Sequence, residues 1–473
     1  MGTLGTALTA AQGALTADQA AIDITANNTA NANTTGYTRE VAQFEDTVTL
    51  GANGTAEPTG VAVTAQSQRD RVLQMKVDQQ YQEQQATATR LTALDQLQEI
   101  FGSSGSSGTS GGAIESAMNG MFSAFTALEA NATDGSTRAG VLAAAQTLAQ
   151  SFNSAAGQIA TQSSELDGQV GQTVAQVNAL TSQIAQLNQQ IMGADPNGDA
   201  GTLEDQRQQD IYQLSQYVGM NQIRTENNGL TLETTGGAVL VSEGQSYQLT
   251  TGEVNGVTDV FSSATGTAVD VTGGISGGTL GGLLTARDTD LPQTQSQLDA
   301  LAYGLATQLN TVNEAGLDGN GKAGGAIFTL PATATAANPA GSAAGITVAM
   351  TDASQIAAAS VSEGTGGSTN AQAMADVANA DVAGGQTASN FYAALIAELG
   401  ATVSSVTAAN TAQQAALTAL QQQNAAVSSV SLDEEASNLT EYERAYQAAS
   451  QMFNVVDTVM TSALNLGVQT AVS

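Results

Sequence analysis

The sequence contains no cysteine, no histidine and no tryptophan. Thiolate and imidazole metal sites, Ser-His and Cys-His nucleophile systems and structural disulfides are thereby excluded, leaving carboxylates, hydroxyls and amides for any chemistry. The missing thiols fit either side of a membrane, because neither redox environment has a group to act on. Basic residues are scarce too: 11 Lys plus Arg stand against 43 Asp plus Glu, a formal net charge of -32. Such a surface repels a phosphate backbone or an anionic membrane, so neither nucleic acid nor a membrane is an expected partner. Without histidine or cysteine, assembly is expected to change little between about pH 6 and 8.5. Aromatics form only 4% of the chain, too few to promise a sugar-binding cleft. Long apolar runs are also missing. Residues 1–30 do not read as a cleaved signal, and no segment reads as a transmembrane span. Met1-Gly2-Thr3-Leu4-Gly5-Thr6 matches a myristoylation pattern, but nothing basic follows as a second anchor and lipidation is not expected.

What is present is periodic. At 473 residues there is room for roughly two to four compact units. Leu439, Tyr442, Tyr446, Ala449, Phe453, Val456, Met460 and Ala463 alternate in steps of three and four, the pattern of a heptad seam. Ser431 and Glu434 predict a capping box before it, and Gly467 a stop after it. Leu4, Leu8, Ala11, Leu15 and Ile22 repeat the rhythm at the other end, with Asp18 in the stripe. The two terminal helices either pair with each other or with neighbouring subunits, or pack on a globular body; periodicity leaves both open.

Between them, Leu166, Val170, Val174, Val177, Leu180, Ile184, Leu187 and Ile191 predict a long amphipathic helix ended by the turn at 193–198. Further helices are predicted at about 68–101, 113–130, 138–160, 203–218, 279–315 and 389–430. The Gly/Ser stretch 102–112 is a linker with a span of roughly 18 Å. Thr, Val and Gly replace Ala and Gln at 221–276 and 317–366, where 230–233 and 238–241 flank Gly236-Gly237 as a hairpin. The expected fold class is mainly α with an inserted β-rich domain, elongated and multi-domain. Its expected units are a terminal helical domain (1–40 with 431–473), a helical bundle (41–220 with 277–316 and 367–430, including a short β-like connector at 41–65), and one β-rich outer domain inserted twice (221–276 with 317–366).

Candidate chemistry is thin. Gly316-Leu317-Asp318-Gly319-Asn320-Gly321-Lys322-Ala323 lacks the hydroxyl a P-loop needs after its lysine and the strand-to-helix setting, and reads as a glycine-rich turn. As a calcium loop from Asp318 it lacks the central Gly and the closing Glu. Residues 195–199 read as a turn, and Asp433, Glu434 and Glu435 as first-turn acids that favour a helix dipole. No catalytic, cofactor or metal residue is assigned.

One segment has a specific order: Asn27-Asn28-Thr29-Ala30-Asn31-Ala32-Asn33-Thr34-Thr35-Gly36-Tyr37-Thr38-Arg39 resembles the N-terminal signature of the bacterial flagellar rod, hook and hook-associated axial protein family, with Thr29 at a usually aliphatic position and Thr35 where proline is usual. Residues 431–439 and 445–450, together with Leu203-Glu204-Asp205-Gln206-Arg207 and Gly281-Gly282-Leu283-Leu284-Thr285-Ala286-Arg287-Asp288, resemble motifs of its hook-associated branch. The resemblance implies a non-enzymatic flagellar component, exported through the type III apparatus without cleavage and located outside the cell. Its implied partners are itself, in a ring or helical layer, the hook protein, a second junction protein or flagellin on the filament side, and an export chaperone. Asn27, Asn28, Asn31, Asn33, Gly36 and Tyr37 become signature residues, and Leu439, Tyr442, Tyr446, Phe453, Val456 and Met460 assembly residues. Another axial protein, or a secreted adhesin with an active outer β domain, is the alternative.

Overall fold

The computed structural model describes residues 2–50, 56–102, 112–194, 200–226 and 228–469. Most of the expected linker at 102–112 and the turn at 195–199 lie outside the described residues. The chain starts with α1 (Gly2–Asn31), then a hairpin of β1 (Glu40–Leu50) and β2 (Ala56–Ser67). Helices α2 (Arg71–Ile100), α3 (Ala113–Ala130), α4 (Gly135–Ala194) and α5 (Thr202–Tyr217) follow. Asp70 caps α2 by accepting from the Val72 and Leu73 amides at 3.0 and 2.9 Å, the local signal that starts this helix.

α4 joins two predicted helices into one of 60 residues, about 90 Å long at 1.5 Å per residue. No proline interrupts it, and its apolar positions run unbroken from Val141 through Phe152, Ile159 and Val170 to Ile191. Those from Val141 to Ala185 join side chains of α2, α3, α5 and the later helices in one continuous core. That core is where the folding free energy of the body resides, at ~25 cal/mol per Å2 of apolar surface buried.

Strands β3 (Met220–Arg224), β4 (Leu230–Thr234), β5 (Val239–Ser242) and β6 (Gln245–Ser246) form an antiparallel meander that includes the expected hairpin. Gly237, at φ +84°, supplies the left-handed backbone of its turn. A second sheet holds β7 (Leu249–Val254), β8 (Val257–Ser262) and β9 (Val269–Asp270). α6 (Gly278–Thr285) runs through one π-helical turn into α7 (Leu291–Glu314). Then come β10 (Gly316–Leu317), β11 (Phe328–Thr329), α8 (Ser342–Gly345), β12 (Thr347–Val348), β13 (Ala359–Ser360), α9 (Thr369–Asp376), α10 (Ala388–Ser428) and α11 (Leu432–Gln469).

The two β-rich segments do not build one sheet. Among the described residues β10 pairs with β13 and β11 with β12, and no strand of 317–366 pairs with one of 220–270. They are fixed to opposite halves of α4: Asn153 donates to the Ala343 carbonyl at 2.9 Å, whereas Asn178 and Asn188 donate to Leu249 at 2.8 Å and Leu230 at 2.9 Å. The 41–65 connector differs as well. It is a ribbon of 11- and 12-residue strands packed on α1, and so belongs with the terminal helices. Gly13 of α1 meets Gly60 of β2 so closely that a Cβ on Gly13 would touch the Gly60 Cα at 3.4 Å.

By length and composition, one helical stretch within Ala388–Asn465 is apolar enough to cross a membrane, which the sequence reading did not anticipate. In the fold its first half lies against α2, burying Tyr392, Leu395, Leu399 and Val406. α1 and α11 pack side by side, but sparsely: the buried hydrophobics of α1 are Ala11, Ala17 and Ala21, and α11 has none among the described residues. Asp18 is buried within that α1 stripe, and burial raises its carboxyl above the usual range. Gly467 does not end α11, which continues to Gln469.

Candidate functional site

Polar side chains converge most densely where the chain ends meet. Asn28, at the end of α1, is 1% exposed. Its Oδ1 accepts from the Tyr37 hydroxyl at 2.9 Å and the Glu40 amide at 3.0 Å; its Nδ2 donates to the Glu40 carbonyl at 2.7 Å and to Glu435 Oε2 at 3.1 Å. One amide thus satisfies four bonds without solvent, which only Asn or Gln chemistry allows. The carboxylate it touches belongs to α11, 407 positions away.

Arg39 completes the arrangement. Its Nε lies 2.7 Å from Glu435 Oε1 and its Nη2 lies 2.9 Å from Glu434 Oε1. Burial opposes its charge, but the two carboxylates outweigh this and raise the guanidinium above its ordinary value. Its backbone amide donates to Ser428 at 3.0 Å and its carbonyl accepts from Gln68 at 2.8 Å, so the ends of α1, β2 and α10 and the start of α11 meet at one residue. Tyr37, pressed among Glu40, Asp205 and Glu435, has its hydroxyl pushed up to about 12, by burial first and then by those charges. It therefore stays a donor at all ordinary pH. The acids 433–435 stand in the first turn of α11, where they favour the helix dipole, and Glu434, expected as half of a capping box, and Glu435 also hold Arg39.

The network continues into the bundle. Thr38 donates its amide and its hydroxyl to Asp205 at 2.9 and 2.6 Å, and Asp205 pairs with Arg69 at 3.2 Å. Glu204, nearly inaccessible, holds Arg69 at 3.3 Å and Arg71 at 2.9 Å. The motif at 203–207 is therefore the coupling between terminal unit and bundle. The motif at 281–288 is a packing device: a Cβ on Gly282 would lie 2.4 Å from the Ala86 carbonyl of α2, and buried Arg287 binds Asp167 at 2.8 Å and Asp288 at 2.7 Å.

The remaining signature residues divide. Asn31 donates to the Asn27 carbonyl at 3.0 Å and accepts from Thr34 at 3.2 Å, and Gly36 sits at φ +81°, giving a capped exit from α1. Asn27 and Asn33 are exposed and lie outside the buried cluster. On α11, which packs along α1, Leu439, Tyr442, Phe453, Val456 and Met460 are half-buried, and Tyr442 stands 5.9 Å from Phe44 of β1, ring centre to ring centre. Tyr446 is exposed.

The heptad seam is thus engaged within the chain. A second row, one position earlier, is not: Met452 is 56% and Val455 62% exposed, and Val459 continues it. The sequence reading missed this row because the seam absorbed the periodic signal, although the steps from 452 to 455 to 459 were there to be counted. Glu435 lies within the 431–439 motif, but its partners Asn28 and Arg39 are invisible at local range. Among the described residues no group of three or more His, Cys, Asp or Glu is placed to hold a metal.

Comparison with known proteins gives the family. Residues 94–328 match the model of the flagellar hook-associated protein FlgK helical domain, residues 8–38 that of the flagella basal body rod protein, and residues 421–466 that of the flagellar basal body rod FlgEFG protein C-terminal region. The chain is 31% identical to flagellar hook-associated protein 1 of Bacillus subtilis, over 97% of each. It is 25% identical to the protein of that name from Escherichia coli, over 96% of this chain and 98% of that one. The Salmonella typhimurium protein is 24% identical over 96% and 99%. The solved structure of the flagellar hook junction protein FlgK from Burkholderia pseudomallei superposes with a TM-score of 0.66 at 21% identity, covering 75% of this chain and all of that one, a likeness of fold.

Proposed function

The chain belongs to the flagellar hook-associated protein 1 family and is a structural component of the bacterial flagellum at the hook–filament junction, and from that premise we propose how it does its work. The protein acts by self-assembly and not by catalysis. It leaves the cell through the flagellar type III apparatus, with an export chaperone, and forms a ring or short helical layer outside it. Hook protein lies on one side, and a second junction protein or flagellin on the other. The terminal unit lines the axis, and the two β-rich segments face outward from the bundle.

One observation carries this reading: the terminal helices bury alanines where a self-sufficient unit would bury leucines, while α11 leaves Met452, Val455 and Val459 uncovered. Apolar area of that kind, held in register by the Asn28–Arg39–Glu435 cluster, is stabilised once neighbouring copies cover it. Signature residues Asn28 and Tyr37 act by fixing the helix pair; Asn27 and Asn33 remain free to meet neighbours. The test is microscopy of cells lacking the protein. Hooks without filaments, with flagellin released into the medium, are expected; normal filaments would overturn the reading.

A further inference from the structure

In a chain with 11 basic residues, four arginines surround one cavity of about 200 Å3. Arg69 and Arg71 reach it from the start of α2, Arg207 from α5 and Arg224 from β3. Their charges are not balanced locally. Glu204 and Asp205 answer Arg69 and Arg71. Arg207, by contrast, donates to Asn188 Oδ1 and the Asn228 carbonyl, each at 2.8 Å, and Arg224 donates to Asn228 Oδ1 at 2.6 Å, all neutral acceptors. Gln208 and Gln222, also on the wall, turn their amide donors to Asp78 at 2.8 and 2.7 Å.

Among the described residues two guanidinium charges are thus left in excess, one of them on a residue that is 7% exposed. Burial, with the neighbouring arginines adding to it against the pull of Glu204, lowers Arg207 to about 10, so it remains charged at neutral pH. A buried cation with neutral partners is costly, and an incoming anion removes that cost. Guanidinium forks match the two- and three-oxygen edges of carboxylate and phosphate, and the cavity lies below the ~300 Å3 at which drug-sized ligands begin to fit.

We propose that this cavity is a binding site for a small oxyanion, a carboxylate or phosphate, held by Arg207 and Arg224 with Arg71 at the mouth. The anion arrives either free from solution or as an acidic side chain of a second copy of this chain, whose surface carries the complementary sign. Binding there fastens the α5–β3 edge to the start of α2, next to the coupling through Glu204 and Asp205.

Inorganic phosphate titrated into the full chain at constant ionic strength, followed by calorimetry and by the rise in melting temperature against a chloride control, tests the proposal. Saturable binding is expected, weakened at least tenfold in the Arg71→Gln/Arg224→Gln variant and unchanged in Lys76→Gln, which removes one charge from the exposed side of α2. Circular dichroism of each variant checks that it is folded; if the double variant is not, Arg224→Gln alone serves, with a smaller expected loss. The source of the anion follows from sedimentation: phosphate that inhibits self-association marks the site as taken by a neighbour's carboxylate, and phosphate that leaves it unchanged marks a free ligand. Absence of saturable binding, or equal weakening in Lys76→Gln, overturns the site.

Discussion

Arg39 and Glu435 are separated by 396 positions in sequence and by 2.7 Å in space, in a setting where neither side chain is more than 8% exposed. This contact closes the chain on itself. Removing Glu435 leaves the buried Arg39 guanidinium with only the exposed Glu434 carboxylate, 2.9 Å away, so the cost falls toward the lower end of the roughly 3–5 kcal/mol of a buried pair broken outright. Glu435→Ala is therefore expected to destabilise the terminal unit by about 3 kcal/mol, with the bundle intact. Denaturant unfolding followed separately by far-UV ellipticity and by protease resistance of residues 1–40 measures this. A change below about 1 kcal/mol, the worth of an exposed pair, would deny the cluster its role.

The two rows of α11 predict different phenotypes. Val455→Asp places a charge on an exposed face, so the isolated chain should melt unchanged while self-association and filament attachment fail. Phe453→Asp places it on the face against α1. There the loss of apolar burial, about 2 kcal/mol before desolvation, should loosen the terminal helices in the monomer as well. Melting curves and sedimentation of both variants separate the rows; identical behaviour would contradict the assignment.

Buried Asp78 makes stability depend on pH in a chain without histidine. Burial pushes its carboxyl from the usual range to about 7, against the bonds from Gln208 and Gln222. The folded state then holds a proton that the unfolded state releases near pH 4, so this contribution is fully present below that pH and is lost as pH rises through 7. The slope approaches ~1.4 kcal/mol per pH unit between the two values and vanishes above them. Asp78→Asn, able to accept the same two amide donors, should flatten the profile and raise stability at pH 8. A wild-type melting temperature constant from pH 5 to 8 would refute this. The expected pH-insensitivity of assembly concerns contacts between copies, whereas Asp78 acts on the fold of one copy through a carboxylate displaced into the same window.

Gly282→Ala should lower stability by about 1–3 kcal/mol, because the added methyl meets the Ala86 carbonyl of α2, which an intact helix cannot move aside. Gly140, with open space around its Cβ position, is the matched control: alanine there in α4 should stabilise by several tenths of a kcal/mol. Thermal melts of the pair decide the matter.

Raising salt from 0.01 to 0.15 M shortens the Debye length from about 30 to about 8 Å and should promote assembly, since copies carrying a net charge of -32 repel while apolar rows are unaffected. Sedimentation across a salt series checks it. Assembly that falls with salt would instead indicate ion pairs between copies.

Helices were legible because burial on one face imposes a period that any local window reveals; α3 appears at the residues its pattern marks. The terminal pairing was legible as one of two alternatives, and motif order supplied the family. The two β-rich segments were misjoined for a definite reason. Composition marked both as strand-forming, but what sorts them is where Asn153, Asn178 and Asn188 stand along α4, a tertiary fact. Asn28 was legible as a signature residue; its bond to Glu435 was not, because nothing local records a partner 407 positions away.

The single span of α4 has a mechanical consequence. A load applied at either strand cluster enters a continuous ladder of backbone hydrogen bonds, cemented on one side by Phe152, Val170 and Ile184. The body is then stiff along this shaft. Compliance collects where α1 and α11 meet over alanines, and the molecule behaves as a rigid spoke on a soft bearing.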